Sequence, residues 1–235
     1  MKKILTVLVL LGALAAFVGC NSPSDMIAKK IVLNTVKERL GPADSYKIEV
    51  DGSTGEYLKG KVRRIHIVGK GVRTNAGLKV AEVDAVMTDV KANTKKKNLE
   101  SVGSTVFTAV VDDYALTDYV NRERDEVKDF NAVFEKGKIK ASAKLKTKIA
   151  SVRTSFESEL VLRNKETVDI DLDKLKIFGV STPGVVRNFV EKRLNPIFSS
   201  DDMAPGTVID SIRVDNGTLR VSGTLDLVSL SAMTR

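Results

Sequence analysis

The sequence predicts an α+β fold in which a long, curved antiparallel sheet wraps around one or two long helices. Apolar and polar residues alternate at the two-residue period of β-strands over most of the chain after residue 46. Three stretches, at 25–40, 114–127 and 183–197, repeat their apolar residues at helical spacing instead. The strand predicted at 138–150 exceeds the usual length of about 3–10 residues, and sheets of long strands twist and coil strongly. Helices lying on the apolar face would cover it.

The first helix is predicted over residues 25–40. Ser24 is a typical N-cap residue, and Gly41 followed by Pro42 is a typical helix stop. The apolar residues of this helix form one stripe, which consists of Met26, Val32, Leu33, Val36 and Leu40. This stripe can dock on a sheet.

Strands are predicted between Tyr46 and Asp112, two of them at 78–90 and 105–111. The tract TKKKN at 94–98 reads as a basic loop. A second helix is predicted at 114–127, and its apolar face consists of Leu116, Tyr119, Val120 and Val127.

The clearest strand pattern is KIKASAKLKTKIA at 138–150. One face of this strand consists of Ile139, Ala141, Ala143, Leu145, Thr147 and Ile149, and the opposite face of Lys138, Lys140, Ser142, Lys144, Lys146 and Lys148. The alternation continues through Phe156, Leu160, Leu162, Val168, Ile170 and Leu172.

The third helix is predicted to begin at Thr182, an N-cap residue followed by Pro183 at the first helical position. Its broad apolar face consists of Val186, Phe189, Val190, Leu194 and Ile197. Beyond it, the Asn216-Gly217 turn between two alternating segments predicts a closing hairpin.

A strand face that mixes small and large apolar residues can be packed shut by a helix, or it can leave an apolar groove. The residues that would line such a groove are Ile139, Ala141, Ala143, Leu145, Phe156, Leu160, Val186, Phe189 and Val190. The lysine face would contact anionic lipid head groups through Lys140, Lys144 and Lys146. Alternatively, these lysines only protect an exposed strand from edge-to-edge pairing.

Residues 1–19 resemble a bacterial lipoprotein signal. Lys2 and Lys3 precede an apolar run, and Gly19 stands directly before Cys20, the only cysteine in the chain. The resemblance implies that Cys20 carries acyl chains, palmitate among them, that residues 20–23 form a tether, and that 24–235 is a single domain. An ordinary cleaved signal and an uncleaved anchor are the alternatives. In a cell with two membranes, Asn21 allows delivery across the periplasm to the outer membrane.

Composition restricts the partners of this exported chain. Its formal net charge of +8 favours anionic lipid head groups or acidic glycans, and nucleic acid is not expected in that compartment. The chain has no tryptophan and 5% aromatic residues, which argues against stacking surfaces for sugars or bases.

The sequence predicts neither catalysis nor a cofactor. It contains no Gly-x-Ser-x-Gly motif, metal-ligand spacing or phosphate loop. His66, the only histidine, lies on a predicted strand and is expected to be half-exposed. Three carboxylate groupings are explained by turns, helix caps or solvent, with a weak cation site as the alternative for the last: Asp112-Asp113, Asp201-Asp202 and the alternating Asp169, Asp171 and Asp173.

Segment 52–90 resembles the central motif of LmeA-like phospholipid-binding proteins, in which a Leu-x-Gly element, here Leu58-Lys59-Gly60, precedes alternating strands. DYALTDYVN at 113–121 is similar to the helix that follows those strands, and 204–227 is similar to the closing hairpin. The resemblance covers most of residues 24–228. It implies an exported phospholipid-binding protein whose curved sheet surrounds a long helix, as in tubular lipid-binding domains, without a catalytic motif.

The sequence is consistent with two functions. The first is a membrane-anchored envelope lipoprotein that binds phospholipid or another acyl lipid in an apolar groove, with shuttling of that lipid as an extension. This function requires an apolar interior larger than the helices can fill. The second is a structural or adaptor lipoprotein that recruits an envelope protein without binding free lipid.

Overall fold

The computed structural model describes residues 23–93, 98–146, 151–171, 176–177, 180–181, 188, 192–204 and 206–226. The helices within these residues are α1 (Pro23–Leu40), α2 (Thr54–Leu58), α3 (Asp113–Glu123) and α4 (Ser200–Met203). Residues 188 and 192–194, within the segment of the third predicted helix, are also helical. The strands are β1 (Ser45–Asp51), β2 (Lys61–Arg73), β3 (Lys79–Asn93), β4 (Asn98–Ser101), β5 (Ser104–Asp112), β6 (Val127–Glu135), β7 (Lys138–Lys146), β8 (Ser151–Ser158), β9 (Leu160–Arg163), β10 (Thr167–Ile170), β11 (Lys176–Ile177), β12 (Val180–Ser181), β13 (Phe198–Ser199), β14 (Thr207–Asp215) and β15 (Thr218–Leu225).

The fold is mostly β, and its strands pair antiparallel, as the alternation predicts. A seven-stranded sheet has the order β1–β2–β3–β5–β15–β14, with β4 also paired to β3. A five-stranded sheet has the order β12–β11–β8–β7–β6, and a three-stranded sheet has the order β13–β10–β9. The prediction of one long sheet is therefore wrong for the described strands. Helix α3 interrupts the succession of strands between β5 and β6, so that a second sheet begins after it.

Helix α1 confirms the first predicted helix, although it begins at Pro23. Val32, Val36 and Leu40 of its predicted stripe are buried in the core. The helix ends at Gly41, whose φ of +96° is left-handed and whose N–H donates to the Lys37 carbonyl at 3.1 Å. Within the described residues no helix combines the length and apolar character that crossing a membrane requires.

The short helix α2 was not predicted, although the sequence contains its signal. Ser53 accepts a hydrogen bond from the Glu56 backbone N–H, and the Glu56 carboxylate accepts one from the Ser53 N–H at 2.7 Å. This reciprocal arrangement is a capping box, which a Ser followed three residues later by Glu predicts.

Helix α3 is shorter than predicted, and Val127 lies in strand β6 and not in the helix. The reason is a bulge between Lys128 and Asn131, where Asp129 has a φ of +51°. The extra residue places the buried side chains of Val127 and Phe130 three positions apart, a spacing that imitates a helical period. The bulge therefore interrupts the two-residue alternation from which a strand is predicted.

Helix α3 covers the edge of strand β6 with its own polar side chains. Thr117 Oγ1 accepts a hydrogen bond from the Ala132 N–H at 3.0 Å. Asn121 Oδ1 accepts one from the Phe130 N–H at 2.9 Å, and its Nδ2 donates to the Phe130 carbonyl at 2.7 Å. An edge strand that would otherwise be open to pairing is thus closed within the chain.

The closing hairpin is confirmed, with β14 and β15 joined at Asn216 and Gly217. Strand β15 inserts between β14 and β5, so the hairpin completes the seven-stranded sheet. On the far side of β14, the Gly137 N–H donates to the Val214 carbonyl at 3.0 Å, and the Ile209 N–H to the Lys165 carbonyl at 2.8 Å. These bonds attach the turns after β6 and β9 to the larger sheet.

Candidate functional site

An apolar cleft of about 30 Å³ lies on the buried face of the seven-stranded sheet. Its floor consists of Val72, Val80, Val83, Ala85, Phe107 and Ala109. Its walls consist of Leu40, Thr74, Met203, Ala204, Thr207 and Leu225. The cleft therefore lies between the end of α1 and the end of α4.

The floor is uneven because small residues face larger ones across strands β3 and β5. Ala85 pairs with Phe107 in the register of these strands, and Ala109 pairs with Val83. All four side chains are buried, and Phe107 keeps 8% of its surface exposed. The space above the two alanines is what the neighbouring side chains leave unfilled.

The wall at Leu40 is held in place by a contact between α1 and β1. The Tyr46 hydroxyl donates a hydrogen bond to the Gly41 carbonyl at 2.8 Å, directly after Leu40. Burial raises the pKa of Tyr46 to about 12, so this hydroxyl stays protonated and keeps donating at neutral pH.

The wall at Met203 and Ala204 lies close to helix α3. Burial, followed by the charge of the nearby Asp202 carboxylate of α4, raises the pKa of Tyr119 above its usual range. Asp202 accepts a hydrogen bond from the Ser199 N–H at 2.7 Å. The prediction that the adjacent aspartates serve as helix caps is confirmed here and at Asp112, which accepts from the Ala115 N–H.

The polar atoms of the two cleft threonines are already bonded within the protein. Thr74 Oγ1 accepts from the Leu78 N–H at 3.1 Å, and Thr207 Oγ1 donates to the Ala204 carbonyl at 2.5 Å. The cleft consequently offers hydrocarbon contacts and suits an apolar ligand. Its volume is about one water molecule's share of the liquid, so a longer ligand enters only when the walls move apart.

The residues predicted to line a groove occupy a different part of the core. Ile139, Ala141, Ala143 and Leu145 are buried on one face of β7, with Phe156 of β8 and Leu160 of β9 also buried. These six residues do not line the cleft. Val186, Phe189 and Val190 lie outside the described residues, as does Cys20. A lipid site on this face therefore stays a prediction.

The predicted head-group residues are exposed on the opposite face of β7. Lys140 Nζ lies 2.7 Å from the Glu135 carboxylate, and this hydrogen bond raises the pKa of Lys140. Lys138 pairs with Glu157 at 2.5 Å. Lys144 and Lys146 have no ion pair among the residues that the structure describes. Two of the four lysines of this face that the structure describes are thus paired with carboxylates of neighbouring strands.

His66 is a partly exposed strand residue, as predicted. Its Nε2 lies 3.0 Å from the Asp84 carboxylate, and its Nδ1 lies 3.6 Å from that of Glu49. Asp169 and Asp171 are partly buried, and Asp173 lies outside the described residues. Among the side chains that the structure places, no group of three or more ligands could hold a metal ion.

The chain is thus a mostly β protein with an apolar cleft on the buried face of its larger sheet. A family model of LmeA-like phospholipid-binding proteins matches residues 26–224, from α1 to β15. The chain therefore belongs to the LmeA-like phospholipid-binding family, which is named for binding and not for a reaction. No curated protein and no solved structure matches the chain.

Proposed function

We propose that this protein is a membrane-anchored lipoprotein of the cell envelope that binds phospholipid, or another acyl lipid, in the apolar cleft. The observation that carries the proposal is a hydrocarbon cleft within a chain of the phospholipid-binding family. A bound acyl chain gains about 0.8 kcal/mol for each methylene removed from water. Binding of this kind requires no catalytic group, and release to an acceptor membrane would make the protein a lipid shuttle.

Opening the cleft involves few parts of the molecule. Met203 is the last residue of α4, a helix of four residues, and Ala204 directly follows it. Movement of α4 and of the Phe107 side chain would extend the cleft along the floor strands. The acyl chain would then replace side-chain contacts with its own.

The dimensions of the elements support the predicted arrangement of a sheet around a helix. Strand β3 has 15 residues and spans roughly 50 Å, whereas α1 has 18 residues and spans roughly 27 Å. Because long strands twist, we infer that the seven-stranded sheet curves over the buried stripe of α1. The cleft would then lie at the end of a longer apolar channel.

Acylation of Cys20 would hold the domain at the membrane surface. Two residues, Asn21 and Ser22, separate Cys20 from Pro23, where α1 begins, so the tether reaches at most about 10 Å. In a Cys20→Ala variant we expect intact-mass spectrometry to show no added acyl chains and residues 1–19 still attached. Acyl chains retained by this variant would contradict the assignment of Cys20.

The lipid proposal is tested by extracting lipid from the purified full chain and by enlarging the cleft floor. We expect phospholipid to co-purify with the wild-type protein, and Ala109→Phe or Ala85→Phe to lower its amount at least about tenfold. Phenylalanine would fill the space and cost about 1–3 kcal/mol of folding free energy. Thermal unfolding therefore accompanies each extraction, and Ala109→Leu is the smaller enlargement if the larger variants unfold.

Ala143→Phe is the matched control, because Ala143 is equally buried but belongs to the other sheet. Loss of lipid only in this variant would move the site to the predicted face of β7. A wild-type chain that contains no lipid and takes up none would contradict lipid binding. Crosslinking to a stoichiometric protein partner in that case would favour the adaptor function.

A further inference from the structure

Three exposed basic side chains form one row across the five-stranded sheet. Lys128 of β6 lies directly opposite Lys144 of β7, and Lys144 lies directly opposite Arg153 of β8. Directly opposed residues point to the same face, with Cβ atoms about 4.5–5.5 Å apart. Lys128, Lys144 and Arg153 are therefore adjacent on the solvent face, and we refer to them as the basic row. Lys146 extends this charge along β7.

Like charges directly opposite each other destabilise a sheet. The basic row is therefore unfavourable for the pairing of these strands. On the same face of β7, four and six residues before Lys144, Lys140 pairs with Glu135 and Lys138 pairs with Glu157. In the described part of the chain no carboxylate forms an ion pair with the basic row, and this includes Asp129, which directly follows Lys128. The positive charge of the row consequently remains uncompensated at the surface.

We propose that the basic row docks this face of the protein on an anionic bilayer surface. The three residues are exposed on strands spaced about 4.8 Å apart, so they span roughly 10 Å of sheet. An exposed row of this width can contact several head groups at once. The surface therefore suits a bilayer and not a single enclosed phosphate.

The inference rests on the proposed function, since it assumes a protein that works at a membrane. The basic row nevertheless lies on a different sheet from the cleft and on its solvent face. Docking would hold the five-stranded sheet against the lipid surface while the cleft exchanges its ligand. Each residue of the row contributes about a fivefold increase in surface affinity, and salt weakens that contribution.

Lysine footprinting of the acylated full chain tests the docking. The chain is inserted into vesicles of phosphatidylcholine alone or of an equal mixture with phosphatidylglycerol, and an amine-reactive reagent is applied. On the anionic vesicles we expect Lys128 and Lys144 to react at least about fivefold more slowly, with the difference lost at high salt. The reactivity of Lys61, Lys70 and Lys79, which are exposed on β2 and β3 of the other sheet, should be similar on both vesicles.

Two triple variants with the same loss of charge complete the test. Lys128→Gln/Lys144→Gln/Arg153→Gln should abolish the protection of Lys146, whereas Lys61→Gln/Lys70→Gln/Lys79→Gln, on the other sheet, should preserve it. Equal reactivity of Lys128 and Lys144 on both vesicles would overturn the inference, as would equal protection of the control lysines. Lipid extracted from the purified chain before it is added to vesicles separates the two proposals: protected lysines on a chain purified without lipid would contradict only lipid binding in the cleft.

Discussion

Replacing Gly41 by alanine is expected to lower the free energy of unfolding by roughly 3–5 kcal/mol. The left-handed φ of +96° is strained for alanine. The added Cβ would also stand 2.0 Å from the Arg73 carbonyl oxygen, so the end of α1 would have to move away from β2. Because Leu40 lines the cleft, the same movement would alter the shape of the cleft at Leu40. Chemical denaturation of the purified protein measures the loss.

Two other glycines separate the contributions to this effect. Gly137 has a φ of +78° and nothing within 4 Å of an added Cβ. Gly137→Ala should therefore lower the free energy of unfolding by about 1–2 kcal/mol, from backbone strain alone. Gly55, within α2, also has open space, and Gly55→Ala should gain about 0.5–1 kcal/mol. A Gly41→Ala variant no less stable than Gly137→Ala would contradict the predicted collision with Arg73.

Asn121→Ala is expected to destabilise the fold by about 2–4 kcal/mol. The substitution removes both hydrogen bonds to the Phe130 backbone and the 3.0 Å bond from Asn121 Nδ2 to the Thr117 carbonyl. The Phe130 N–H and carbonyl would then lack their partner on α3, beside a side chain that is 2% exposed. Denaturation measures the loss, and hydrogen exchange of the Phe130 amide should accelerate with it.

Asn131→Ala is the matched control for this prediction, because Asn131 is exposed on the same strand. Its free energy of unfolding should stay within about 0.5 kcal/mol of wild type. Asn121→Asp should lie between the two, since aspartate keeps an acceptor for the Phe130 N–H but has no donor for the carbonyl. An Asn121→Ala variant as stable as Asn131→Ala would show that α3 does not protect the edge of β6.

Local patterns predicted the elements whose signals are local. The stop at Gly41, the faces of β7 and the closing hairpin follow from short-range chemistry, and the structure has all three. Strand β6 was missed because a bulge near Asp129 disturbs its period. The capping box at Ser53 is a local signal for α2 that a hydrophobic period does not contain.

The candidate site is formed by strands that pair although they are distant in sequence, and the hydrophobic period of a single segment does not reveal that pairing. Alternation indicates that Ala141 and Ala85 both face inward, but not which sheet each joins or what packs above it. The cleft exists because β3 pairs with β5, so that Ala85 meets Phe107 and Ala109 meets Val83. The same limit applies to the lysines, since register alone distinguishes Lys140, which pairs with Glu135, from Lys144, which faces Lys128 and Arg153.

The position of β15 has a consequence for how the molecule is made. Residues 218–224 hydrogen-bond to a strand that ends at Asp112, about a hundred positions earlier. A nascent chain would therefore carry β5 with one side unpaired until nearly all of it has left the ribosome, and contacts of this range form slowly. The proposed export of the chain would benefit from this delay, because an incompletely folded polypeptide can pass through a translocation pore before the sheet closes.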